Sequence, residues 1–212
     1  MKKKLIGVAV FLFFIISILA VMYFIRSTDP AEKIYKNLNN PAKEQILSNA
    51  NKESKNMTID HSGIYEIITE GDEESKIAIE DPVIPPINSK FTGIYIEKNQ
   101  SFEIPSGVTV KFVPVSFDNL GKNENFSLNA LGKYFIGAEI YPGEYYVTLM
   151  NKADHSTDNE MKVQLIVSNK KKHRQVILNE NNTRETLELK HGEFLTIKSS
   201  YLDITLNFEK IE

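Results

Sequence analysis

The side chains best suited to chemistry in this chain are four histidines, one acidic segment and one basic run. His61, His155, His173 and His191 are far apart in sequence. No two share the His-x-x-x-His spacing that puts both imidazoles on one helix face. Cysteine is absent, which excludes a thiolate zinc site, a disulfide framework, a cysteine nucleophile and a lipid anchor on an N-terminal Cys. Asp154, His155, Asp158 and Glu160 crowd into residues 151–160. A calcium loop alternates oxygen ligands around a glycine, and this segment has none, so it reads as a hydrated hairpin tip. Asp72, Glu73 and Glu74 form a charged turn rather than the apolar pocket that raises a carboxyl pKa. There is no Gly-x-Ser-x-Gly elbow, Walker loop or dinucleotide fingerprint. The sequence therefore predicts no catalytic residue, no cofactor and no metal.

Lys170, Lys171, Lys172, His173 and Arg174 form the densest charge cluster, between two expected strands. One reading is a solvated hairpin turn. The other is a polyanion contact through Lys170, Lys171, Lys172 and Arg174, facing an envelope polymer or lipid headgroups.

Where such a cluster would act depends on the N-terminus. Lys2, Lys3 and Lys4 precede Leu5–Ile25, a run of 21 residues without a charge. About 20 apolar residues cross a hydrocarbon core, whereas the apolar part of a cleaved signal is shorter, at roughly 7–15 residues. No Ala-x-Ala precedes Arg26, and Met22, Tyr23 and Phe24 crowd the end of the run. Residues 5–25 are therefore expected to be a signal anchor, with a cleaved signal peptide as the alternative. Three lysines against the single Arg26 put residues 1–4 in the cytoplasm and the rest outside. Those four cations belong to the anchor region, so the remaining chain carries 21 basic against 28 acidic residues. An acidic ectodomain is a poor partner for nucleic acid.

Beyond the anchor, Asp29-Pro30 is a helix start, with Asp as N-cap and Pro at the first helical position. Ile34 and Leu38 are four apart, and Pro41 interrupts the pattern. Residues 26–56 are expected to form a short helical stalk. From Met57 the pattern changes to period two, with Tyr, Ile, Val, Phe and Thr in short runs separated by Gly, Pro and Ser. This predicts an all-β ectodomain of sandwich or barrel type. Landmarks recur within it. His61–Ile67 is similar to Tyr141–Val147, and residues 93–115 are similar to residues 185–208. Two related β-rich units, 57–118 and 119–212, are expected, with one larger sheet fold as the alternative.

The stretch GKYFIGAEIYPGEYYVTL, residues 132–149, holds Gly132, Gly137 and Gly143. Their expected role is backbone freedom in turns and bulges, with Pro142-Gly143 as a type II turn. Tyr145 and Tyr146 should face opposite sides of a strand. This stretch resembles a motif of small β-rich surface proteins and lipoproteins of Gram-positive bacteria, approximately G-x-Y-x-V-G-x-D-I-P-x-G-x-Y. Gly132, Tyr134, Ile136, Gly137, Ile140, Gly143 and Tyr145 match it. Glu139 replaces the usual Asp, and the proline is displaced by one place to Pro142. The resemblance implies a secreted or anchored β domain and carries no catalytic residue. The expected function is binding or structural, at the cell envelope, with an envelope polymer or a membrane protein as partner. An envelope enzyme and a secreted inhibitor or immunity protein are the alternatives.

Overall fold

The computed structural model describes residues 29–71, 84–122, 124–150, 161–169 and 172–211. The expected anchor at 5–25, the charged turn at 72–74, the acidic tip at 151–160, Lys170 and Lys171 all lie outside them. Among the described residues, no helix is long and apolar enough to cross a membrane.

Among the described residues one helix, α1 (Pro30–Asn37), precedes a body made of strands. In chain order these are β1 (Gln45–Ser48), β2 (Lys55–Thr58), β3 (Gly63–Glu70), β4 (Lys90–Ile96), β5 (Ser101–Ile104), β6 (Thr109–Pro114) and β7 (Phe126–Leu128). They continue with β8 (Leu131–Phe135), β9 (Gly143–Leu149), β10 (Lys162–Ser168), β11 (His173–Asn179), β12 (Arg184–Leu189), β13 (Phe194–Ser199) and β14 (Leu206–Lys210). The fold is all-β with several sheets, as the period-two pattern predicts. In β9, Tyr145, Val147 and Leu149 point inward while Glu144 and Tyr146 point out. That alternation is what a pleated strand with one buried face requires.

The strands pair in two matching sets, all antiparallel. In the first, β3 lies between β6 and β4, β1 borders β6, and β2 pairs with β5. In the second, β9 lies between β14 and β12, β7 borders β14, and β8 pairs with β13. The registers correspond as well. Tyr65 is opposite Pro114 and Ile67 opposite Phe112, while Tyr145 is opposite Lys210 and Val147 opposite Phe208. The second set adds the hairpin β10–β11, with β10 beside β13. Each set encloses its own apolar core. One is built around Tyr65, Phe102 and Phe112, the other around Tyr145, Leu165 and Phe208.

The sets join through β4 and β8, which run parallel and pair only at Phe91–Leu131 and Thr92–Gly132. This link makes one eight-stranded sheet, in the order β1-β6-β3-β4-β8-β13-β10-β11.

The stalk expected over 26–56 needs correction. Among the described residues of that span only α1 is helical, and it lies on the body, with Tyr35 just 3% exposed. Leu38 ends the helix in a left-handed conformation at φ 50°, and the chain then forms β1 and β2. The first set of strands therefore begins with β1 at Gln45. β1 looked like surface linker because it is a short edge strand with only Leu47 buried. Its strand character comes from its partner β6, not from its own four residues.

Candidate functional site

The site grows out of the junction between the two sets. Gly132 has φ +117° and Gly93 has φ +74°. A Cβ on Gly132 would lie 2.2 Å from Thr92 O, and one on Gly93 would lie 2.0 Å from Lys133 O. Only residues without a Cβ let these two backbones approach so closely. Beyond this contact the strands part. β4 stays with β3, β8 stays with β13, and a wedge of space opens between them.

Helix α1 packs beside the junction through Tyr35. The Asp29 carboxylate caps it by accepting from Ala31 N at 3.0 Å, and Pro30 supplies the fixed φ of the first turn. Tyr35 packs between the sets. Its ring stacks on Phe135 at 4.9 Å, meets Phe194 edge-on at 5.5 Å, and shares a cluster with Ile64 and Val115 of the first set. Asn40 then fastens the chain. Its Nδ2 donates to Ile64 O (2.7 Å) and Val115 O (3.1 Å), and its Oδ1 accepts from Ile64 N (3.0 Å).

Two cavities lie at the junction, and Tyr35 lines the larger. The larger, about 610 Å³, opens between α1 and strands β8 and β13. Phe135, Phe194 and Leu38 give it apolar walls, and Lys36, Lys133 and His191 add polar reach. Lys133 Nζ sits 3.8 Å from the centre of the Phe194 ring, and Leu38 is 53% exposed. The volume is in the range of small-molecule sites.

The smaller cavity, about 240 Å³, lies across the junction. It is lined by Glu66, Thr92 and Val115 from one side and by Tyr134 and Glu139 from the other. Glu139 is buried, and its Oε2 accepts from Phe135 N at 2.7 Å. Burial pushes its carboxyl up to about 8, opposed by the Phe135 N–H and by Tyr35 and assisted by the charge of Glu66. The Tyr35 hydroxyl is also pushed up, first by burial and then by Glu139 beside it. It lies close enough to feel that carboxylate but makes no hydrogen bond of good geometry. Burial likewise raises Tyr134, whose hydroxyl donates to Ala130 O at 3.0 Å. Glu66 is paired with Lys90 at 3.1 Å.

The residues singled out in the sequence fall in separate places. Gly132 belongs to the junction, and Gly137, at φ +102°, to the turn after β8, where Gly137 N donates to Ile140 O at 2.7 Å. The type II turn expected at Pro142-Gly143 is not formed. Gly143 has no positive φ and is the first residue of β9. The reversal occurs earlier, where Phe135 O accepts from Glu139 N and Glu139 caps Phe135 N. Tyr145 is fully buried while Tyr146 is 40% exposed. The Tyr145 hydroxyl donates to Tyr141 O at 2.7 Å.

The basic run also divides. Lys172 is exposed, but Arg174 is held by Glu193 at 2.7 Å and donates to Glu188 O. Its charge serves the fold, because Glu193 is buried and needs a cation. Arg174 is thus engaged within the fold, while its side chain stays 40% exposed. Among the described residues, no group of three His, Asp or Glu side chains is placed to hold a metal ion.

The junction residues Tyr35, Asn40 and Glu139 escaped the sequence reading. The signal available for Glu139 was one carboxylate inside an otherwise apolar run, FIGAEI. No family model matches the chain, and a search of the curated proteins finds no match.

Proposed function

We propose that the chain is an extracytoplasmic binding protein of the bacterial envelope, held in the membrane by residues 5–25 with residues 1–4 in the cytoplasm. Its ligand site is the cleft beside α1, and its work is binding rather than catalysis. One observation carries this reading: the cleft of about 610 Å³ is lined by Asp29, the fourth residue after the end of the apolar run. Because α1 lies on the body instead of lifting it away, the cleft is held close to the bilayer. The partner is then a component of the membrane surface or the wall above it.

Protease shaving of intact cells tests the topology: the β body should be cut from outside while residues 1–25 stay with the membrane. Recovery of the chain in the cytosol would end this reading. Crosslinked pull-down from the same cells then identifies the partner.

A second reading, an envelope enzyme acting on wall polymer or peptide, has one supporting observation. Glu139 and Glu66 line the same small cavity, and the Glu139 carboxyl is raised toward the neutral range, as an acid catalyst requires. It predicts turnover of wall fragments that Glu139→Gln abolishes while ligand binding in the larger cleft persists.

A further inference from the structure

The cleft beside α1 has a definite chemical character. Its rim carries Lys36 and Lys133, and neither has an ion-pair partner among the described residues. The acidic rim groups are occupied. Asp29 caps the helix, and Glu32 is engaged in an interaction of its own. Formally the lining balances two carboxylates against two ammonium groups, and Lys36 and Lys133 are the rim cations left to meet an anion. Beneath them lie the rings of Phe135 and Phe194, with Leu38 exposed at the edge. A cationic rim over an apolar floor suits an amphiphile with an anionic head, not a uniformly polar sugar or a bare ion.

Position narrows the source. Three residues separate Ile25 from Asp29, and the four extended steps between them reach at most about 14 Å. Given the anchored topology proposed above, on which this inference rests, the rim stands at the headgroup level of the outer leaflet.

We infer that this cleft takes a single anionic phospholipid from the outer leaflet, its phosphate between Lys36 and Lys133 and its upper acyl chain over Phe135 and Phe194. Such a lipid would fix the body against the membrane and make its docking depend on lipid charge.

The test uses the full chain reconstituted in nanodiscs. One set contains phosphatidylglycerol with a photoreactive group near the head of its acyl chain, and a matched set carries the same group on phosphatidylcholine. The glycerol lipid should label peptides holding residues 133–135 and 191–194 at least fivefold more strongly. K36Q/K133Q should reduce that labelling at least tenfold, since each lysine near a charged surface contributes about fivefold in affinity. K36R/K133R should retain it. Both lysines are exposed, so unchanged circular dichroism is expected for each variant. Equal labelling by the two lipids, or labelling that survives K36Q/K133Q, overturns the lipid site. Displacement by millimolar inorganic phosphate makes the ligand a free anion and overturns it as well. Protease protection in the same nanodiscs reports insertion independently. Insertion without labelling refutes the lipid site and leaves the anchor standing, whereas failure to insert refutes both.

Discussion

The two strand sets share a wiring plan and differ in what is hung on it. β3 and β9 occupy the same place, flanked by β6 and β4 in one set and by β14 and β12 in the other. Their tyrosines behave alike: Tyr65 donates to His61 O at 2.6 Å, and Tyr145 donates to Tyr141 O at 2.7 Å, each to the carbonyl four residues back. Each ring meets a phenylalanine edge-on at 6.0 Å, Phe112 in the first set and Phe208 in the second. The difference is the β10–β11 hairpin. Its strands add Val163, Leu165, Val167 and Leu178 to a second core of 21 buried residues, against 12 in the first, among the described residues, so the second should be the more stable. The lesson is that pairing and register set the architecture, while an insertion on one sheet sets how much apolar surface is buried.

The comparison is most sharply broken at the two tyrosines. Tyr65→Ala and Tyr145→Ala each remove a fully buried ring and should cost about 3–5 kcal/mol in urea denaturation. A loss under about 1 kcal/mol at either position would mean that the two are not equivalent. In the parent protein, the first set should unfold at lower denaturant than the second. A single transition reported identically by probes in both sets would show that the junction couples them more tightly than the core sizes suggest.

A next effect concerns Glu139, which has no counterpart in this comparison. Its folded pKa of about 8 lies above the ordinary 4.5, so the folded state holds more protons between those values. Stability should therefore be full below about pH 4.5 and decline as pH rises toward about 8, by roughly 2–3 kcal/mol once partial hydration of the buried carboxylate is allowed for. Glu139→Gln should flatten that part of the pH profile, and an unchanged slope would assign it to another group.

Gly93→Ala tests the junction itself. The added methyl would meet Lys133 O and adopt a disfavoured φ, costing about 1–3 kcal/mol. The expected signature is a wider gap between the two unfolding transitions than in the parent, with each core intact. Tyr65→Phe and Tyr145→Phe should have the smallest effects, about 1 kcal/mol each, for one lost hydrogen bond. Unequal values there would show where the correspondence stops.

Much of the fold was legible because strands with one buried face write their period into the sequence. The runs at 109–114, 143–149, 162–168 and 194–199 all do so. β1 did not, since an edge strand with a single buried residue carries too little pattern. Helix α1 was legible from its cap, but its packing was not: Ile34 and Leu38 looked like the apolar face, whereas Tyr35 is the residue that enters the junction. The basic run was visible as charge, yet its division into an exposed Lys172 and a structurally bound Arg174 depends on Glu193, nineteen residues away.

By itself the sequence determined the all-β character, the helix start at Asp29-Pro30, the recurrence of Gly-x-Tyr at 63–65 and 143–145, and the long apolar run at the N-terminus. Those are properties of residue order, set by backbone sterics and by the periods of helix and strand. The tertiary structure alone decided that β4 meets β8 in parallel, that a wedge opens beyond Gly93 and Gly132, and that Tyr35 and Glu139 share it. Such features come from segments distant in sequence closing on one another, and no local pattern records which surfaces will meet.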